Sequence, residues 1–304
     1  MEPLSVPGPE PANTLDLLPP LHRARVSPKH LLLWMLITFL PPLLIIYGLH
    51  LLPDRHTSVF TLKNEFSIKG ISALFVVLAT WIVARMQRRP LDDYGIPPRQ
   101  AFGVRFWEGM AWGFGMLSAL LLCLFASGHF RIDSVALTGG SFLRYALEWT
   151  LAFLFVAYAE DFVFRGYLLF VLSQRIRFWR AAVALSVGFA AAHLPNTGET
   201  VLGILQVLGA GLLFCFMIRR TGNLWFSVGY HAAWDWAQTF FYGTANSGLY
   251  GEGHFLNSSL QGSRWISGGS VGPEGSIFSL LVILLCASFI HLRFPTALYP
   301  DRPA

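Results

Sequence analysis

Residues 145–172 read YALEWTLAFLFVAYAEDFVFRGYLLFVL, an apolar segment with Glu160, Asp161 and Arg165 near its centre. About 20 apolar residues cross the roughly 30 Å hydrocarbon core of a bilayer, so this segment is longer than a membrane span needs to be. An ionisable residue inside a span costs about 2.5–3.5 kcal/mol when it faces lipid, so such residues usually face protein or water and mark function. The segment therefore predicts a tilted membrane helix whose inner part faces other parts of the protein.

The rest of the 304-residue chain has the same apolar character. Hydrophobic residues make up 54% of the sequence, charged residues 13%, and the mean hydropathy is +0.52. This composition excludes a soluble globular domain. The predicted spans lie near residues 30–51, 69–86, 108–128, 145–172, 179–196, 200–218, 223–243 and 276–294. We predict an all-α fold, a polytopic membrane bundle of about eight transmembrane helices.

The placement of Lys and Arg predicts the orientation of these helices, because cytoplasmic loops carry an excess of both residues. Fifteen lie on the side of the termini: Arg23, Arg25, Lys29, Arg85, Arg88, Arg89, Arg99, Arg105, Arg175, Arg177, Arg180, Arg219, Arg220, Arg293 and Arg302. Six lie on the other side: Arg55, Lys63, Lys69, Arg131, Arg144 and Arg264. Both termini are therefore predicted to be cytoplasmic. Anionic lipid head groups then account for the net charge of +5 without a nucleic acid partner.

The chain shows no internal repeat and no second soluble domain, which predicts one membrane domain. We place it at residues 29–295, between a disordered cytoplasmic tail at 1–28 and a C-terminal tail at 296–304. The three cysteines lie in predicted spans without a CxxC pair, so they indicate neither a disulfide framework nor a zinc-thiolate site. The expected location is a cell membrane, crossed several times, which is the plasma membrane if the source is bacterial.

Three of the predicted spans carry ionisable residues at similar depths. Counted at 1.5 Å per helical residue from the nearest cytoplasmic arginine, Glu160, His193, His231 and Asp235 lie roughly 16–23 Å along their helices. A shared cavity that contains water would remove the free-energy cost of exposing these groups to hydrocarbon. The matched depths therefore predict that they belong to one site.

In the span at 145–172, helical phase places the two acidic residues on different faces of the helix. Asp161 and Arg165 are four residues apart on one helical face and are expected to form an ion pair. Glu160 is turned about 100° from Asp161, which leaves it free to face another neighbour. Glu160 is therefore the better candidate for catalysis, and the alternative is a purely structural ion cluster that joins helices.

The other two spans supply histidines. His231 and Asp235 are also four residues apart, so the carboxylate can accept a hydrogen bond from the imidazole and fix its tautomer. A lone histidine such as His193 is usually a core residue with its hydrogen bonds satisfied, but its match in depth to the other groups favours a site. Phe189, one turn before His193, is expected to pack against that ring and set its rotamer.

The order and spacing of these residues resemble the CAAX protease and bacteriocin-processing family (CPBP, also called Abi) of intramembrane proteases. The family motifs EExxxR, FxxxH and HxxxN/D correspond to EDFVFR at 160–165, FAAAH at 189–193 and HAAWD at 231–235. Weaker similarity lies in GNLW at 222–225 and YGI at 94–96. The strong resemblance, and with it the expected catalytic core, covers about residues 145–243.

The resemblance implies an intramembrane endopeptidase whose partner is a membrane-associated protein or peptide, such as a prenylated CAAX protein, cleaved without an acyl-enzyme intermediate. Glu160 and His193 would activate a water molecule. His231 and Asp235 would orient and stabilise the tetrahedral oxyanion. Arg165 would position its helix. The sequence departs from the family at Asp161, one methylene shorter than glutamate, which matters only if this side chain must reach the scissile bond.

A metal-dependent version of this chemistry stays open. Glu160, His193 and His231 have the composition of a catalytic zinc site, and a divalent metal such as zinc is the alternative cofactor. The helical HExxH pattern of zinc proteases is absent, so a metal-free mechanism with no cofactor is favoured.

Two other classes of function also stay open. A non-proteolytic immunity or scaffold protein could bind a peptide through the same cavity, because proteins with one fold need not share an activity. A proton-coupled transporter also uses intramembrane Glu, His and Arg. The two halves of the chain lack the matched, interrupted helices expected of such a transporter.

Overall fold

The computed structural model describes residues 26–51, 59–196 and 198–303. Helices cover all eight segments predicted as spans. They are α1 Pro28–Gly48, α2 Leu62–Met86, α3 Val104–Ala126, α4 Gly139–Asp161, α5 Leu168–Ile176, α6 Phe178–His193, α7 Val201–Thr221, α8 Trp225–Trp236, α9 Arg264–Ser267 and α10 Ile277–Arg293. Among the described residues, four helices, α1, α2, α3 and α7, are long and apolar enough to cross a membrane. The eight-span count and the orientation of the termini stay predictions.

The outer surface of the bundle is apolar, as expected of a protein surrounded by lipid. Large aliphatic side chains are more than half exposed on at least four helices, an arrangement that water would disfavour over so wide a surface. They include Leu32, Leu43, Leu44, Leu74, Leu122, Leu281 and Leu284. The protein is therefore a membrane protein built from helices. Most of the predicted disordered tail at 1–28 lies outside the described residues, and the proposed limits of the membrane domain stay predictions.

The all-α prediction misses two small sheets at one end of the bundle. Strand β1 (Val59–Phe60) pairs in parallel with β3 (Tyr250–Gly251), and β2 (Phe130–Val135) pairs antiparallel with β4 (Leu256–Leu260). These strands are short, and β2 is exposed at five of its six residues, so no alternating burial gives them an apolar pattern in the sequence. Their pairing satisfies backbone hydrogen bonds in loops between helices. We call this end of the bundle the sheet end.

The opposite end is the basic end. It carries Arg85 in the last turn of α2, Arg180 in the first turn of α6, Arg219 in the last turn of α7 and Arg293 at the end of α10. Consecutive helices of the bundle therefore run alternately from one end to the other.

The overlong predicted span is two helices joined by a π-helical segment. Helix α4 ends at Asp161, residues Phe162–Tyr167 form the π segment, and α5 continues to Ile176. Gly166, inside this segment, has a non-helical backbone conformation with φ −89° and ψ −110°. A second π segment, Ala237–Phe241, follows α8 directly. Such segments occur often at functional sites, and here each follows a helix with a motif carboxylate among its last two residues, Asp161 in α4 and Asp235 in α8.

Helix α8 packs backbone to backbone against α3. A Cβ atom added to Gly109 or Gly113 would overlap the carbonyl oxygen of Phe226 or Tyr230, and one added to Gly229 would overlap that of Phe106. Small residues allow membrane helices to approach this closely. The glycines of α3 therefore fix the position of α8, the helix that carries the third motif.

The segment before α3 anchors the start of α8 at the basic end. The backbone N–H of Leu224 donates to the carbonyl of Gly95 at 2.8 Å. The indole of Trp225 donates to the carbonyl of Pro97, also at 2.8 Å. The two weaker stretches of family resemblance, 94–96 and 222–225, are thus in direct contact, and together they hold the N-terminus of the motif helix.

Candidate active site

A cavity of about 450 Å³ lies inside the bundle. Helices α2, α4, α6, α7, α8 and α10 all contribute to its wall. Its polar lining residues are Glu65, Lys69, Glu160, His193, Asn196, Gln206, His231, Asp235, Asn246, Ser247 and Glu274. Four of the predicted catalytic residues, Glu160, His193, His231 and Asp235, therefore share one cavity, as their matched depths predict. Phe189 lines it as well.

Asp161 and Arg165 form the predicted ion pair behind the cavity wall. Arg165 Nη1 donates to Asp161 Oδ1 at 2.6 Å, and the side chains are 0% and 1% exposed. The guanidinium also stacks over two rings, 4.2 Å from the centroid of Phe189 and 4.9 Å from that of Phe214. Since Asp161 is fully covered and does not line the cavity, its shorter side chain serves the pair with Arg165.

His231 is surrounded by carboxylates on both ring nitrogens. Nε2 lies 3.5 Å from Asp235 Oδ2 and 3.8 Å from Glu160 Oε2, and Nδ1 lies 3.5 Å from Asp161 Oδ2. The predicted contact between His231 and Asp235 is thus present. The contacts to Glu160 and Asp161 could not be predicted from spacing within one helix, because they join α8 to α4.

Glu160 has a basic partner that sequence reasoning missed. Lys69 Nζ donates to Glu160 Oε1 at 2.7 Å, and the Glu160 side chain is 18% exposed. The sequence prediction started this span at residue 69 and counted the lysine with a loop. The helix instead begins at Leu62, after Thr61 caps it by accepting a hydrogen bond from Asn64 N. Glu65, four residues before Lys69, was the available signal that this helical face is polar.

The hydrogen bond of His193 fixes the tautomer of its neutral ring. Nδ1 lies 2.8 Å from the carbonyl oxygen of Phe189, and a carbonyl can only accept. Nδ1 therefore carries a proton, and in the neutral ring Nε2 holds the free lone pair. The Phe189 ring meets the imidazole at 4.6 Å between centroids with an angle of 65°. Phe189 thus makes the predicted packing contact and adds a backbone acceptor.

Glu274 is a second residue of the cavity that sequence reasoning missed. It lies in the short helical turn Pro273–Gly275 before α10, is 5% exposed, and accepts a hydrogen bond from Ser247 N. Burial raises the pKa of Glu274 to about 8, and the carboxylates of Asp235 and Glu199 act in the same direction. Its position in a long polar loop gave no signal in the sequence.

The described side chains do not fit a metal site. Within the part of the chain that the structure describes, no group of three or more His, Cys, Asp or Glu residues is arranged to hold a metal ion. The ammonium of Lys69, at 2.7 Å from Glu160 Oε1, also occupies the carboxylate that a metal would need.

Comparison with known proteins agrees with this arrangement. Residues 142–237 match the family described as type II CAAX prenyl endopeptidase Rce1-like. No curated protein and no solved structure matches the chain. The matched segment runs from α4 through the start of the second π segment and contains all three motifs. Through this segment, 96 of the 304 residues, the chain is similar to the Rce1-like CAAX prenyl endopeptidases, which agrees with the motif resemblance to CAAX-type membrane proteases.

Proposed function

We propose that this protein is an intramembrane endopeptidase that cleaves a membrane-associated protein or peptide with a water molecule activated by Glu160 and His193. The enclosing fold would be a bundle of eight spans in a cell membrane with both termini in the cytoplasm. The observation that supports the proposal best is the shared cavity lined by Glu160, His193, His231 and Asp235. Prenylated substrates are one class that the family resemblance suggests.

Glu160 and His193 would each offer one side-chain atom to the attacking water molecule. Lys69 holds Glu160 Oε1, which leaves Oε2 on the side of His231. His193 offers the lone pair of Nε2, since Nδ1 is bonded to the Phe189 carbonyl. Glu160 would take a proton from water while the water oxygen bonds to the substrate carbonyl carbon. A positioned base of this kind contributes about 10²- to 10⁴-fold to a reaction rate.

The oxyanion that forms needs a hydrogen-bond donor. His231 can donate from Nε2, and the carboxylates of Asp161 and Asp235 at 3.5 Å orient its ring. When the tetrahedral intermediate collapses, the C–N bond breaks and the proton held by Glu160 passes to the leaving amine. The hydroxyl group of the water ends on the new carboxyl group and its other proton on the amine, and no covalent enzyme intermediate forms.

Arg165 and Asp161 would position this machinery without touching substrate. The pair links the end of α4 to the π segment, and the guanidinium holds the Phe189 ring that packs on His193. Loss of the pair would therefore displace both Glu160 and His193. The substitution of aspartate for the family's glutamate is compatible with this positioning role, because the pair closes at 2.6 Å.

The test is cleavage of quenched membrane-associated peptides, prenylated and unprenylated, by purified protein in nanodiscs. We expect Glu160→Gln to lower the cleavage rate about 10²- to 10⁴-fold. Glu148→Gln is the matched control, because Glu148 lies on the same helix but pairs with exposed Arg144 away from the cavity. Cleavage that survives Glu160→Gln would refute the assigned base, and loss of cleavage with a chelator would support the metal alternative. A folded protein that cleaves no peptide would favour the scaffold alternative.

A further inference from the structure

Gln206 is a buried polar residue of the cavity wall that the proposed mechanism does not use. It belongs to α7, and between Val201 and Ile218 it is the one residue whose side chain carries an oxygen or nitrogen atom. It lines the cavity and is 5% exposed. Polar residues within membrane helices usually face the interior of the bundle and mark function, so Gln206 is a candidate for contact with a substrate.

The carboxamide of Gln206 forms no hydrogen bond with any residue that the structure describes. Two other glutamines with similar burial each have a backbone partner. Gln174 accepts from Val26 N at 3.2 Å, and Gln238 donates to the carbonyl of Ala245 at 2.7 Å. The oxygen and nitrogen of Gln206 are not fully covered, so both keep contact with the cavity. Because a buried amide without a partner destabilises a folded protein, this side chain is suited to a partner that enters the cavity.

Gln206 lies near the level of His193 in the bundle. Its neighbour Val207 packs in one cluster with Phe189 and Ala190 of α6, the helix that ends at His193. Since α6 and α7 run in opposite directions, Gln206 is level with the residue after Ala190, and two residues, or about 3 Å, separate that level from His193. The carboxamide and the imidazole therefore line the same part of the cavity.

The distance to His231 limits where along a substrate Gln206 would act. The ring of Phe214 packs on that of His231 with centroids 5.2 Å apart. Gln206 precedes Phe214 by eight residues, which is about 12 Å along α7. An extended peptide rises about 3.4 Å per residue. A substrate carbonyl held at His231 would therefore place Gln206 beside backbone within about four residues of the cleaved bond.

We propose that Gln206 is a substrate-binding residue whose carboxamide forms hydrogen bonds with the backbone of an extended peptide substrate, close to the cleaved bond. This inference rests on the proposed function. A carboxamide has both donor hydrogens and an acceptor oxygen, so it can pair with the C=O and the N–H of an extended peptide. Hydrogen bonds to a backbone contribute affinity whatever the side chains of the substrate are.

A glutamine-to-methionine substitution separates binding from a structural role, because it removes the hydrogen bonds and keeps an unbranched side chain of similar length. With the quenched membrane-associated peptides in nanodiscs, we expect Gln206→Met to raise KM about tenfold and to change kcat little. Its free energy of unfolding should not fall, since no hydrogen bond within the described structure is lost. The matched control Gln238→Met loses the bond to Ala245 and should be less stable than the wild type. An unchanged KM, or a loss of stability equal to that of Gln238→Met, would overturn the proposal.

A series of altered peptides tests the backbone contact itself. Each peptide carries one ester in place of a backbone amide, which removes one N–H donor, and the series covers about four residues on each side of the cleaved bond. We expect one ester to raise KM about tenfold with the wild type and to have no further effect with Gln206→Met, because the two changes remove the same contact. Ester effects that are as large in Gln206→Met as in the wild type at every position would overturn the proposal.

Peptide binding distinguishes failure of this inference from failure of the proposed function. Fluorescein-labelled forms of the same peptides are titrated with Glu160→Gln protein, with and without Gln206→Met, and binding is followed by fluorescence anisotropy. Weaker binding with Gln206→Met would support the peptide site even if the wild type cleaves nothing, and the protease function alone would then fail. Equal binding, with cleavage by the wild type, would refute the role of Gln206 and leave the protease function standing. Absence of both binding and cleavage would overturn both.

Discussion

Removal of the Arg165 guanidinium should destabilise the protein strongly, because it leaves the Asp161 carboxylate buried without its cationic partner. The two side chains are 1% and 0% exposed, and their atoms meet at 2.6 Å. Breaking a buried pair by removing one partner costs about 3–5 kcal/mol. His231 Nδ1 remains 3.5 Å from Asp161 Oδ2 and can supply part of the lost compensation, so we expect Arg165→Met to cost about 3 kcal/mol. That is roughly a hundredfold change in the unfolding equilibrium.

The measurement is reversible unfolding in mixed micelles, with two further variants. Arg144→Met breaks an ion pair of the same i,i+4 spacing within α4, the helix that ends at Asp161, but the side chains of Arg144 and Glu148 are 67% and 40% exposed. We expect that control to change stability by about 0.5 kcal/mol or less. The double variant Asp161→Asn with Arg165→Met removes both charges and should be more stable than Arg165→Met alone. Equal effects of Arg165→Met and Arg144→Met, or a double variant no more stable than the single one, would refute the reasoning.

Three further substitutions test separate parts of the structure. Gly113→Ala should lower the free energy of unfolding by about 1–3 kcal/mol and lower the activity, because α3 can no longer approach α8 as closely. The control Gly115→Ala, which has open space at its Cβ, should leave unfolding and peptide cleavage unchanged. Lys69→Met should lower kcat about tenfold with little change in KM, because Glu160 loses the ammonium that orients it. Lys69→Arg keeps a cation and should retain most of the rate. Equal rates for the two variants would exclude this role of Lys69. For Glu274, burial raises the pKa from 4.5 to about 8, so the folded state keeps a proton that the unfolded chain releases. Stability should therefore fall as pH rises from about 5 to 8, by at most about 1.4 kcal/mol per pH unit, and Glu274→Gln should flatten this slope in unfolding measured at both pH values.

The sequence predicts the helices and the motif residues well for a physical reason. Apolar segments long enough to cross a bilayer are conspicuous in composition, and helices are found at all eight of them. Spacing within one helix also predicts local pairs, as the contacts of Asp161 with Arg165 and of His231 with Asp235 show. These are properties of a single helix, and a single sequence contains them.

Contacts between helices account for what the sequence does not reveal. Lysine is usually a surface residue, and only the packing of α2 on α4 brings Lys69 to Glu160. Glu274 reaches the cavity from a polar loop more than 100 residues beyond α4. The two small sheets depend on pairing between loops far apart in sequence, such as β2 with β4. None of these features leaves a periodic signal in its own segment.

The two π segments bear on how relatives of this chain should be aligned. A π turn contains one residue more than an α turn, so the residues beyond it are rotated by about 100° relative to an uninterrupted helix. The segments Phe162–Tyr167 and Ala237–Phe241 therefore act as places where a helix absorbs an inserted residue without disturbing the carboxylate before it. Single-residue gaps between family members are therefore expected at or after these two segments, and none between His231 and Asp235. A periodicity plot that ignores such a gap assigns the wrong face to every residue of α5.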